Sequence, residues 1–493
     1  MDLKYISTRG DGREYTSSEA VIRGLCDDGG LFVPQSIPKL DKDIASLVGK
    51  GYKVIAYEVL KLFFTDYSES DLKDCIDKAY DSKFDTDVFA PLTEHDGKYF
   101  LELFHGPTIA FKDMALSILP HLLTKALRMN AIDDKVLIMT ATSGDTGKAA
   151  LAAFADVENT RIIVFYPKGG VSNIQERQMV TQKGANTKVV GVKGNFDDCQ
   201  SAVKNMFNDA QLAAELADKG YRFSSANSIN IGRLFPQVVY YVYSYVKMVE
   251  TGAISDGDLL DFVVPTGNFG NILAGFYAKQ MGVPIGKLVC ASNENKVLYD
   301  FFETGVYDRN RDFILTTSPS MDILISSNLE RLIYHSLGDD AAANAKLMNM
   351  LSNDGRYEID QNSRRYMESF SGLYATEDMV AGTIRKFYKE SGYVIDPHTA
   401  VAAYADLNYD RSEGRRSVIV STASPYKFVG SVLSAIDDTL VSDDEFEMAD
   451  ALSGLSHVAV PKAVTSIKNA PILHNTVCDI GDMINTVRDF LDR

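Results

Sequence analysis

The chain has 493 residues, of which 45% are hydrophobic and 24% charged, and its formal net charge is −17 at pH 7. This length exceeds what one hydrophobic core usually serves, so it predicts at least two lobes with a cleft between them. The negative charge without a basic block argues against nucleic-acid binding, and no apolar run in the sequence is long enough to span a bilayer.

Residues 1–97 are predicted to form a mainly helical N-terminal domain. Thr16–Glu19 and Ser68–Asp71 match the capping-box pattern, and each precedes a series of spaced apolar residues. The first residues are polar and acidic, unlike a secretory or transit signal, which predicts a cytoplasmic protein. The five cysteines lie far apart and form no CxxC pair, so neither a metal site nor a disulfide framework is predicted.

From residue 98 onward, short β-rich apolar runs alternate with helical patterns. Such alternation is typical of parallel sheets with crossover helices. The sequence therefore predicts an α/β fold with lobes at 98–292 and 376–493, and an insertion or small helical lobe at the Asn-rich, charged segment 293–375. The predicted strands are residues 135–142, 161–167, 187–192, 259–266, 287–292 and 417–423.

Lys112 lies in the stretch FHGPTIAFKDMA, among apolar and turn-forming residues. Asp113 is predicted to cap the helix that follows, and Pro120 to interrupt or kink it. Desolvation would lower the pKa of the Lys112 ammonium, and the free amine could then form a Schiff base with an aldehyde. The alternative is a lysine whose stem packs while its head reaches water.

The loop TSGDTGKAA, residues 142–150, follows a predicted strand and opens a predicted helix. It is not a nucleotide-binding P-loop, because Thr142 and Ala149 stand where that motif needs a glycine and a hydroxyl. Its amides and hydroxyls suit a carboxylate ligand at a helix N-terminus. A plain helix cap formed by Ser143 or Asp145 is the alternative.

Two further loops follow predicted strands. In PTGNFGN, residues 265–271, Gly267 and Gly270 allow the backbone to direct several N–H groups at a phosphate, although the spacing is not that of a dinucleotide-binding turn. A turn with helix capping is the alternative. In STASPYKF, residues 421–428, the hydroxyl of Ser421 or Thr422 could face a ring nitrogen or simply complete a turn.

In combination, the motifs resemble the threonine synthase family, whose members are pyridoxal-phosphate enzymes of fold type II. The matching stretches occur in order along nearly the whole chain. They are KYISTRG, GGLFVP, FHGPTIAFKD, TSGDTG, PKGGVSNIQ, SANSINIGR, PTGNFGN, SPSMDILISSNLER and DPHTA.

The resemblance implies pyridoxal 5'-phosphate as the cofactor, attached to Lys112 through a Schiff base, and no metal. The implied cofactor neighbours are Phe111, Asp145 near the ring hydroxyl, Gly267, Asn268, Phe269, Gly270 and Asn271 around the phosphate, and Thr422 at the pyridine nitrogen. The implied substrate ligands are Ser143, Gly144 and Thr146 around the carboxylate, and Ser172, Asn173, Gln175, Asn227, Ser228, Asn230 and Arg233 for the substrate phosphate, with Lys148 and Lys168 as further candidates.

The implied reaction converts O-phosphohomoserine and water into L-threonine and phosphate, with no nucleic-acid or membrane partner. A related phospho-lyase that forms 2-oxobutyrate, phosphate and ammonia would need the same residues and stays open, as does a regulatory protein that has kept the fold without turnover. The family commonly reads TAHP where this chain has Ser424 before Pro425, so any contact of that histidine must be absent or replaced. The sequence predicts no particular oligomeric state.

Overall fold

The computed structural model describes residues 2–142 and 144–492. Its strands are β1 (Tyr5–Ser7), β2 (Phe32–Pro34), β3 (Leu92–His95), β4 (Lys98–Glu102), β5 (Lys135–Ala141), β6 (Thr160–Pro167), β7 (Thr187–Lys193), β8 (Tyr221–Ser224), β9 (Leu260–Pro265), β10 (Ile285–Ser292), β11 (Val306–Asp308), β12 (Arg356–Glu358), β13 (Phe370–Tyr374), β14 (Arg416–Ser421) and β15 (Thr476–Asp479).

The helices pack around these strands. They are α1 (Ser17–Arg23), α2 (Ile44–Leu47), α3 (Tyr52–Phe63), α4 (Glu69–Ala79), α5 (Lys112–Leu116), α6 (Leu119–Met129), α7 (Asp145–Phe154), α8 (Asn173–Val180), α9 (Phe196–Phe207), α10 (Ala210–Asp218), α11 (Ile231–Leu234), α12 (Pro236–Glu250), α13 (Gly270–Gln280), α14 (Val297–Thr304), α15 (Leu329–Ser336), α16 (Ala341–Asp354), α17 (Gln361–Tyr366), α18 (Glu377–Ser391), α19 (Pro397–Asn408), α20 (Val429–Ile436), α21 (Glu445–Ser456), α22 (Lys462–Thr465) and α23 (Met483–Leu491).

Two mainly parallel sheets organise the fold. The first has the strand order β13-β10-β9-β14-β4-β3, and only β3 runs antiparallel to its neighbour. The second has the order β15-β7-β6-β5-β8 and is parallel throughout. All six predicted strands are present, and the predicted α/β class with parallel sheets is confirmed.

Burial on both faces explains why those strands could be recognised. Every residue of β9 is buried, and so is β14 after its first residue. Helices cover both faces of a parallel sheet, so its central strands read as continuous apolar runs rather than alternating ones. The core therefore follows the two sheets, and the loops at the strand ends are left to carry polar groups.

The N-terminal region contains the two predicted helix starts. Thr16 and Glu19 form a complete capping box at α1. At α4 the Ser68 hydroxyl accepts a hydrogen bond from the backbone N–H of Asp71. The Asp71 carboxylate accepts from the Ser68 hydroxyl and not from the Ser68 backbone N–H. Only half of the second box is thus formed.

The predicted domain boundaries fall within paired structure at two places. The β3–β4 hairpin spans residue 97, and β13, which lies inside the segment 293–375, pairs with β10 of the six-stranded sheet. The remainder of that segment comprises α14–α17 and the two-stranded β11–β12 sheet. The division into domains stays a prediction.

Within the described residues, none of the helices has the length and apolar composition of a membrane span, and no group of three or more His, Cys, Asp or Glu side chains could hold a metal ion. All five cysteines are free thiols, and Cys478 alone among them is only half-buried.

His105 lies between two carboxylates next to the Lys112 segment. Its Nδ1 is 2.6 Å from Asp85 Oδ1, and its Nε2 is 2.9 Å from Glu102 Oε2. Burial lowers the pKa of His105, but the two carboxylates outweigh burial and raise it to about 9. The pKa of a histidine in the unfolded chain is about 6.5. The stabilisation of the folded state by charged His105 is therefore fully present below that pH and is lost as the pH rises through about 9.

We therefore expect wild type to exceed His105→Gln in free energy of unfolding by about 1–3 kcal/mol near pH 6, and by much less near pH 10. Denaturant unfolding of both proteins at the two pH values measures this difference. An equal difference at both pH values would contradict a charged His105.

Candidate active site

A cavity of about 110 Å³ opens where the carboxyl ends of strands from both sheets meet. Loops after β4, β5, β8, β9 and β14 all contribute to its wall. Parallel strands place their carboxyl ends at one edge, which is where ligands bind in such sheets. The predicted site residues that line this cavity are Phe111, Lys112, Thr146, Asn227, Ser228, Arg233, Gly267, Asn268, Phe269, Gly270, Asn271 and Thr422.

Backbone hydrogen bonds hold Lys112 beside the end of β14. The N–H of Phe111 donates to the carbonyl of Thr422 at 2.8 Å, and Ala110 pairs with Ala423 as an isolated bridge. Phe111 also lines the cavity, and the centroid of its ring lies 5.6 Å from Lys112 Nζ. The main chain, rather than side chains, thus brings the predicted amine and the predicted hydroxyl together.

The local structure around Lys112 corrects one prediction. Asp113 does not cap α5, because its carboxylate accepts from the N–H and hydroxyl of Thr108 at 2.8 and 2.7 Å and so closes the preceding loop. The helical interruption before Pro120 is present, since α5 ends at Leu116 and Pro120 begins the first turn of α6.

Lys112 is 8% exposed and contacts two polar side chains. Its Nζ is 3.3 Å from Asp145 Oδ2 and 2.9 Å from Ser320 Oγ. Burial lowers the pKa of Lys112, the Asp145 carboxylate opposes this, and the cations of Lys427 and Arg233 lower it further. The net shift is downward, which favours a reactive free amine.

Asp145 stands at the centre of a buried charge network. Lys427 Nζ lies 3.2 Å from Asp145 Oδ1, Gln175 Nε2 donates to the same oxygen at 3.1 Å, and Ser320 Oγ donates to Oδ2 at 2.7 Å. Burial alone would raise the pKa of Asp145, but Lys427, Lys112 and the Ser320 hydroxyl hold it well below its usual range. Asp145 is therefore a carboxylate at neutral pH.

At the start of α7 the Thr142 hydroxyl, rather than the Asp145 carboxylate, accepts hydrogen bonds from backbone N–H groups. The donors are the N–H groups of Gly144 and Gly147, both at 3.0 Å. Gly144 has φ +128°, and a Cβ there would meet Gln175 Cδ at 2.4 Å, so a side chain at this position would displace the Gln175–Asp145 contact. Asp145 is consequently left free to face Lys112.

The loop from Gly267 to Asn271 holds a strained backbone conformation. Phe269 has φ 64°, in the left-handed region, and its ring packs against Phe302 and Phe370. Such a conformation persists where packing over-determines it, and it is typical of ligand-binding loops. A Cβ on Gly267 would lie 2.6 Å from the carbonyl oxygen of Ser320, so this position requires glycine.

Asn271 carries an unsatisfied buried donor in this cavity. Its Oδ1 accepts from the hydroxyls of Tyr240 and Tyr241, each at 2.7 Å, which fixes the amide orientation. Its Nδ2 is buried and has no partner among the described residues. Because a buried donor without a partner is costly, the amide suits an anionic or hydroxyl-bearing ligand at the start of α13.

A second polar group on the wall is built around Arg233. Its guanidinium is buried, donates to the carbonyl of Ala226 at 2.8 Å, and burial lowers its pKa to about 10, so it remains a cation at neutral pH. Asn227 and Ser228 line the cavity next to it. This group offers donors to a second anion.

Several predicted substrate ligands lie outside the cavity wall. Ser172 and Gln175 form a capping box at α8, where Asn173 is exposed, and Asn230 is fully buried and caps α11. Lys148 donates to Gln182 Oε1 at 2.5 Å, and Lys168 pairs with Glu176. Ser143 lies outside the described residues. Their roles toward substrate stay predictions.

Sequence reasoning missed three side chains at the site. Ser320 bridges Lys112 and Asp145, and Lys427 pairs with Asp145. His398 lines the cavity, its Nε2 accepting from the Ser320 N–H at 3.2 Å while Nδ1 contacts Asp396 Oδ2 at 2.7 Å. Their motifs SPSMDI, SPYKF and DPHTA were visible in the sequence, but nothing local indicated that they converge.

Ser424, which stands where the family commonly has histidine, acts as a cap. Its hydroxyl accepts from the N–H of Tyr426 at 3.3 Å, and its own N–H donates to the carbonyl of Ile109 at 3.0 Å. It does not line the cavity. His398 from another loop reaches the cavity instead.

Comparison with known proteins agrees with this geometry. Residues 91–424 match the family described as "Pyridoxal-phosphate dependent enzyme", and residues 4–80 match "Threonine synthase N terminus". The threonine synthase of Pseudomonas aeruginosa is 38% identical over 437 residues, which cover 88% of this chain and 90% of that protein. A crystal structure of pyridoxal-phosphate-bound threonine synthase from Brucella melitensis matches with a TM-score of 0.88 and 36% identity, covering 99% of both chains.

A further relative is longer than this chain. Human threonine synthase-like 1 is 41% identical over 434 residues, which cover 85% of this chain. The match takes in only 58% of that relative's length.

The chain therefore belongs to the pyridoxal-phosphate dependent enzymes of fold type II, and pyridoxal phosphate is its cofactor. Within that class it is a member of the threonine synthase family. The predicted fold class, cofactor and family are confirmed.

The residues present fit this cofactor. The buried Lys112 would supply the amine, and the glycine-dependent loop at the start of α13 would offer backbone N–H groups and the unpartnered Asn271 amide to a phosphate. Both lie on the wall of a single cavity, together with Thr422.

Proposed function

We propose that the protein converts O-phosphohomoserine and water into L-threonine and phosphate. The observation that carries this proposal is the presence of two separate anion-binding groups beside one buried lysine. The Gly267–Asn271 loop suits the cofactor phosphate, and the group around Arg233 suits a phosphate that belongs to the substrate. A substrate without its own phosphate would leave the buried Arg233 cation without an anionic ligand.

The cofactor ligands follow from this division. Lys112 carries the covalent link, and Phe111 lies beside it. Thr422 is 4% exposed and its hydroxyl makes no side-chain hydrogen bond within the described part of the chain, so it is available to the ring nitrogen. The proposed phosphate ligands are Gly267, Asn268, Phe269, Gly270 and Asn271, and Asp145 is proposed near the ring hydroxyl.

Bound pyridoxal phosphate supplies an aldehyde that joins amines and a ring that accepts the electron pair left when the neighbouring carbon loses a proton. Lys112 Nζ takes the α-proton, hands it on, and then takes a β-proton of the substrate. Phosphate departs from Cγ with the Cγ–O electron pair and one of these protons, and the other goes to Cγ. Water adds its hydroxyl to Cβ while its second proton goes to Cα. Because Thr422 is neutral and cannot protonate the ring nitrogen as a carboxylic acid would, it moderates electron withdrawal by the ring.

The network behind Lys112 sets its protonation. Asp145 remains ionised because Lys427 pairs with it, and Ser320 donates to Asp145 while contacting Lys112 Nζ. The hydroxyl of Ser320 thus links the ionised Asp145 to the Lys112 amine and holds the two groups in place. His398 positions Ser320 by accepting its N–H.

Substrate binding is assigned by polarity and position. Thr146 lies on the cavity wall at the start of α7, where N–H groups suit a carboxylate. Arg233, Asn227 and Ser228 take the substrate phosphate. The remaining proposed ligands that do not line the described wall are Gly144, Ser172, Asn173, Gln175 and Asn230. Ser143, which lies outside the described residues, is proposed as a further ligand.

The experiment that tests this function is product analysis. Incubation of the holoenzyme with O-phosphohomoserine is expected to yield L-threonine and phosphate in equal amounts, measured by amino-acid chromatography and a phosphate assay. Formation of 2-oxobutyrate and ammonia instead would identify a phospho-lyase, and no turnover would favour a regulatory protein; either result contradicts the proposal.

Gly267→Ala is expected to weaken pyridoxal-phosphate binding about tenfold or more, because the new Cβ would meet the main-chain oxygen of Ser320 at 2.6 Å. Titration of the apoenzyme with cofactor, followed by visible absorbance, measures the affinity. Gly454→Ala is the matched control, since a Cβ at that helical position meets nothing within 4 Å. Equal affinity of both variants would argue against the proposed phosphate loop.

We also propose that the enzyme acts in the cytoplasm. Its cysteines are free thiols, which suits a reducing compartment.

A further inference from the structure

A second cavity lies at the amino ends of strands in the six-stranded sheet, whereas the candidate active site lies at their carboxyl ends. Its volume is about 210 Å³, and it forms where β4 and β14 begin. Four of its lining side chains are cations, and no acidic side chain lines it. The cations are Lys98, Arg411, Arg415 and Arg416.

Two buried carboxylates beneath the cavity balance only part of this charge. Lys98 Nζ lies 2.8 Å from Asp406 Oδ2, and Arg411 also pairs with Asp406. Arg415 Nη1 lies 3.3 Å from Asp261 Oδ1. Four cations against two carboxylates leave a surplus of two positive charges in a chain whose net charge is −17.

Asp261 and Asp406 also accept hydrogen bonds from other groups of the protein. Asp261 also accepts from the hydroxyl of Tyr409 at 2.9 Å and from the N–H of Lys287 at 2.6 Å, and Asp406 also accepts from the hydroxyl of Ser417. Both aspartates are thus ligated by groups of the protein itself.

Guanidinium donors are left unused on the cavity wall. Arg416 makes no ion pair or side-chain hydrogen bond within the range that the structure describes, and Arg415 donates there only through Nη1. Asp410 and Glu413 belong to the same loop but do not line the cavity. The free donors consequently face a space without a protein acceptor.

We propose that this cavity binds a small anion that carries two or more linked phosphate groups. Planar guanidinium forks match phosphate oxygens through paired hydrogen bonds. A diphosphate presents enough charge to balance the surplus and enough acceptors for Arg415 and Arg416 together. The cavity is large enough for such an anion and is separate from the phosphate-binding groups of the active site, at the other end of the same strands.

Calorimetric titration of the holoenzyme with inorganic diphosphate tests the site. In Arg233→Gln, which weakens the active-site anion group, we expect one diphosphate per chain. Addition of Arg416→Gln is expected to lower the affinity about tenfold, because it removes a charge-assisted contact without breaking an observed ion pair. Inorganic phosphate is expected to bind more weakly than diphosphate, because it cannot reach both guanidinium groups at once.

Two control variants test whether diphosphate binds at this cavity rather than elsewhere on the protein. Arg128→Gln removes one exposed arginine charge that does not line the cavity and is expected to leave diphosphate affinity unchanged. Arg233→Gln alters the active-site anion group and is likewise expected to retain diphosphate binding. No binding by wild type, equal affinity of the Arg233→Gln protein with and without Arg416→Gln, phosphate binding as tight as diphosphate binding, or loss of binding in Arg233→Gln would each overturn the proposal.

Discussion

Lys112→Ala is expected to lose about 10³-fold or more of kcat and to lose the visible absorbance of covalently bound cofactor. The reason is that, in the proposed mechanism, one buried amine both forms the covalent link and transfers the protons of the reaction. Lys112 contacts Asp145 and Ser320. Among the described residues of the cavity wall, no other lysine is present to replace its amine. Steady-state kinetics and an absorbance spectrum of the purified variant measure both losses.

Lys148→Met is the matched control for this experiment. Lys148 is also 8% exposed, and burial lowers its pKa to about 8, so it is a second buried lysine with a lowered pKa. It donates to Gln182 and does not line the cavity. Retention of the covalent band in Lys148→Met and its loss in Lys112→Ala are expected; the reverse would overturn the assignment.

Lys427→Met is expected to destabilise the protein by about 3–5 kcal/mol, because it leaves the buried Asp145 carboxylate without its main cationic partner. It is also expected to move the acidic limb of the kcat profile to higher pH, because the Lys112 amine is free of the cofactor only in the substrate complex. Lys427 lowers the pKa of Lys112, so its removal raises that pKa, and the free amine then forms only at higher pH. Denaturant unfolding and a pH–rate profile measure the two effects.

Lys427→Arg distinguishes the charge of this residue from its shape. The Lys427 side chain is fully buried and also donates to the carbonyl of Thr108 at 2.9 Å, so a larger guanidinium disturbs packing but keeps the cation. We expect Lys427→Arg to lose stability without the alkaline shift. A pH profile of Lys427→Met that matches wild type would show that Lys427 does not set the protonation of Lys112.

The strands that sequence reasoning found and those that it missed differ in burial. β6 and β9 are long, apolar and buried on both faces, so composition alone indicates them. β8 has four residues, YRFS, of which two are half-buried, and β15 alternates between half-buried and exposed residues at a sheet edge. Short and polar strands become ordered by pairing with neighbours, which a local pattern does not record.

Site residues could be predicted from the sequence where a single short segment contains the relevant turn and helix patterns. The loop at Gly267 and the segment of Lys112 are of this kind. Ser320 lies 208 residues from Lys112 along the chain, and its contact with the amine depends on how the segment 293–375 packs over the cavity. No periodicity or spacing indicates such a contact.

The roles of acidic residues were the least predictable part. Asp113 and Asp145 both follow loops and precede helical patterns, so both read as helix caps. In the structure Asp113 accepts from Thr108, five residues earlier, and closes its own loop. The Thr142 hydroxyl, three residues before Asp145, accepts the Gly147 N–H of α7, and Asp145 contacts Lys112 instead. Sequence spacing permits either outcome for each aspartate.

Reduction of the holoenzyme with borohydride fixes the cofactor to whichever amine holds it, and peptide mass spectrometry then identifies that residue. A pyridoxyl phosphate adduct on Lys112 is expected. An adduct on Lys148, Lys427 or any other residue, or no adduct at all, would contradict the assignment of Lys112.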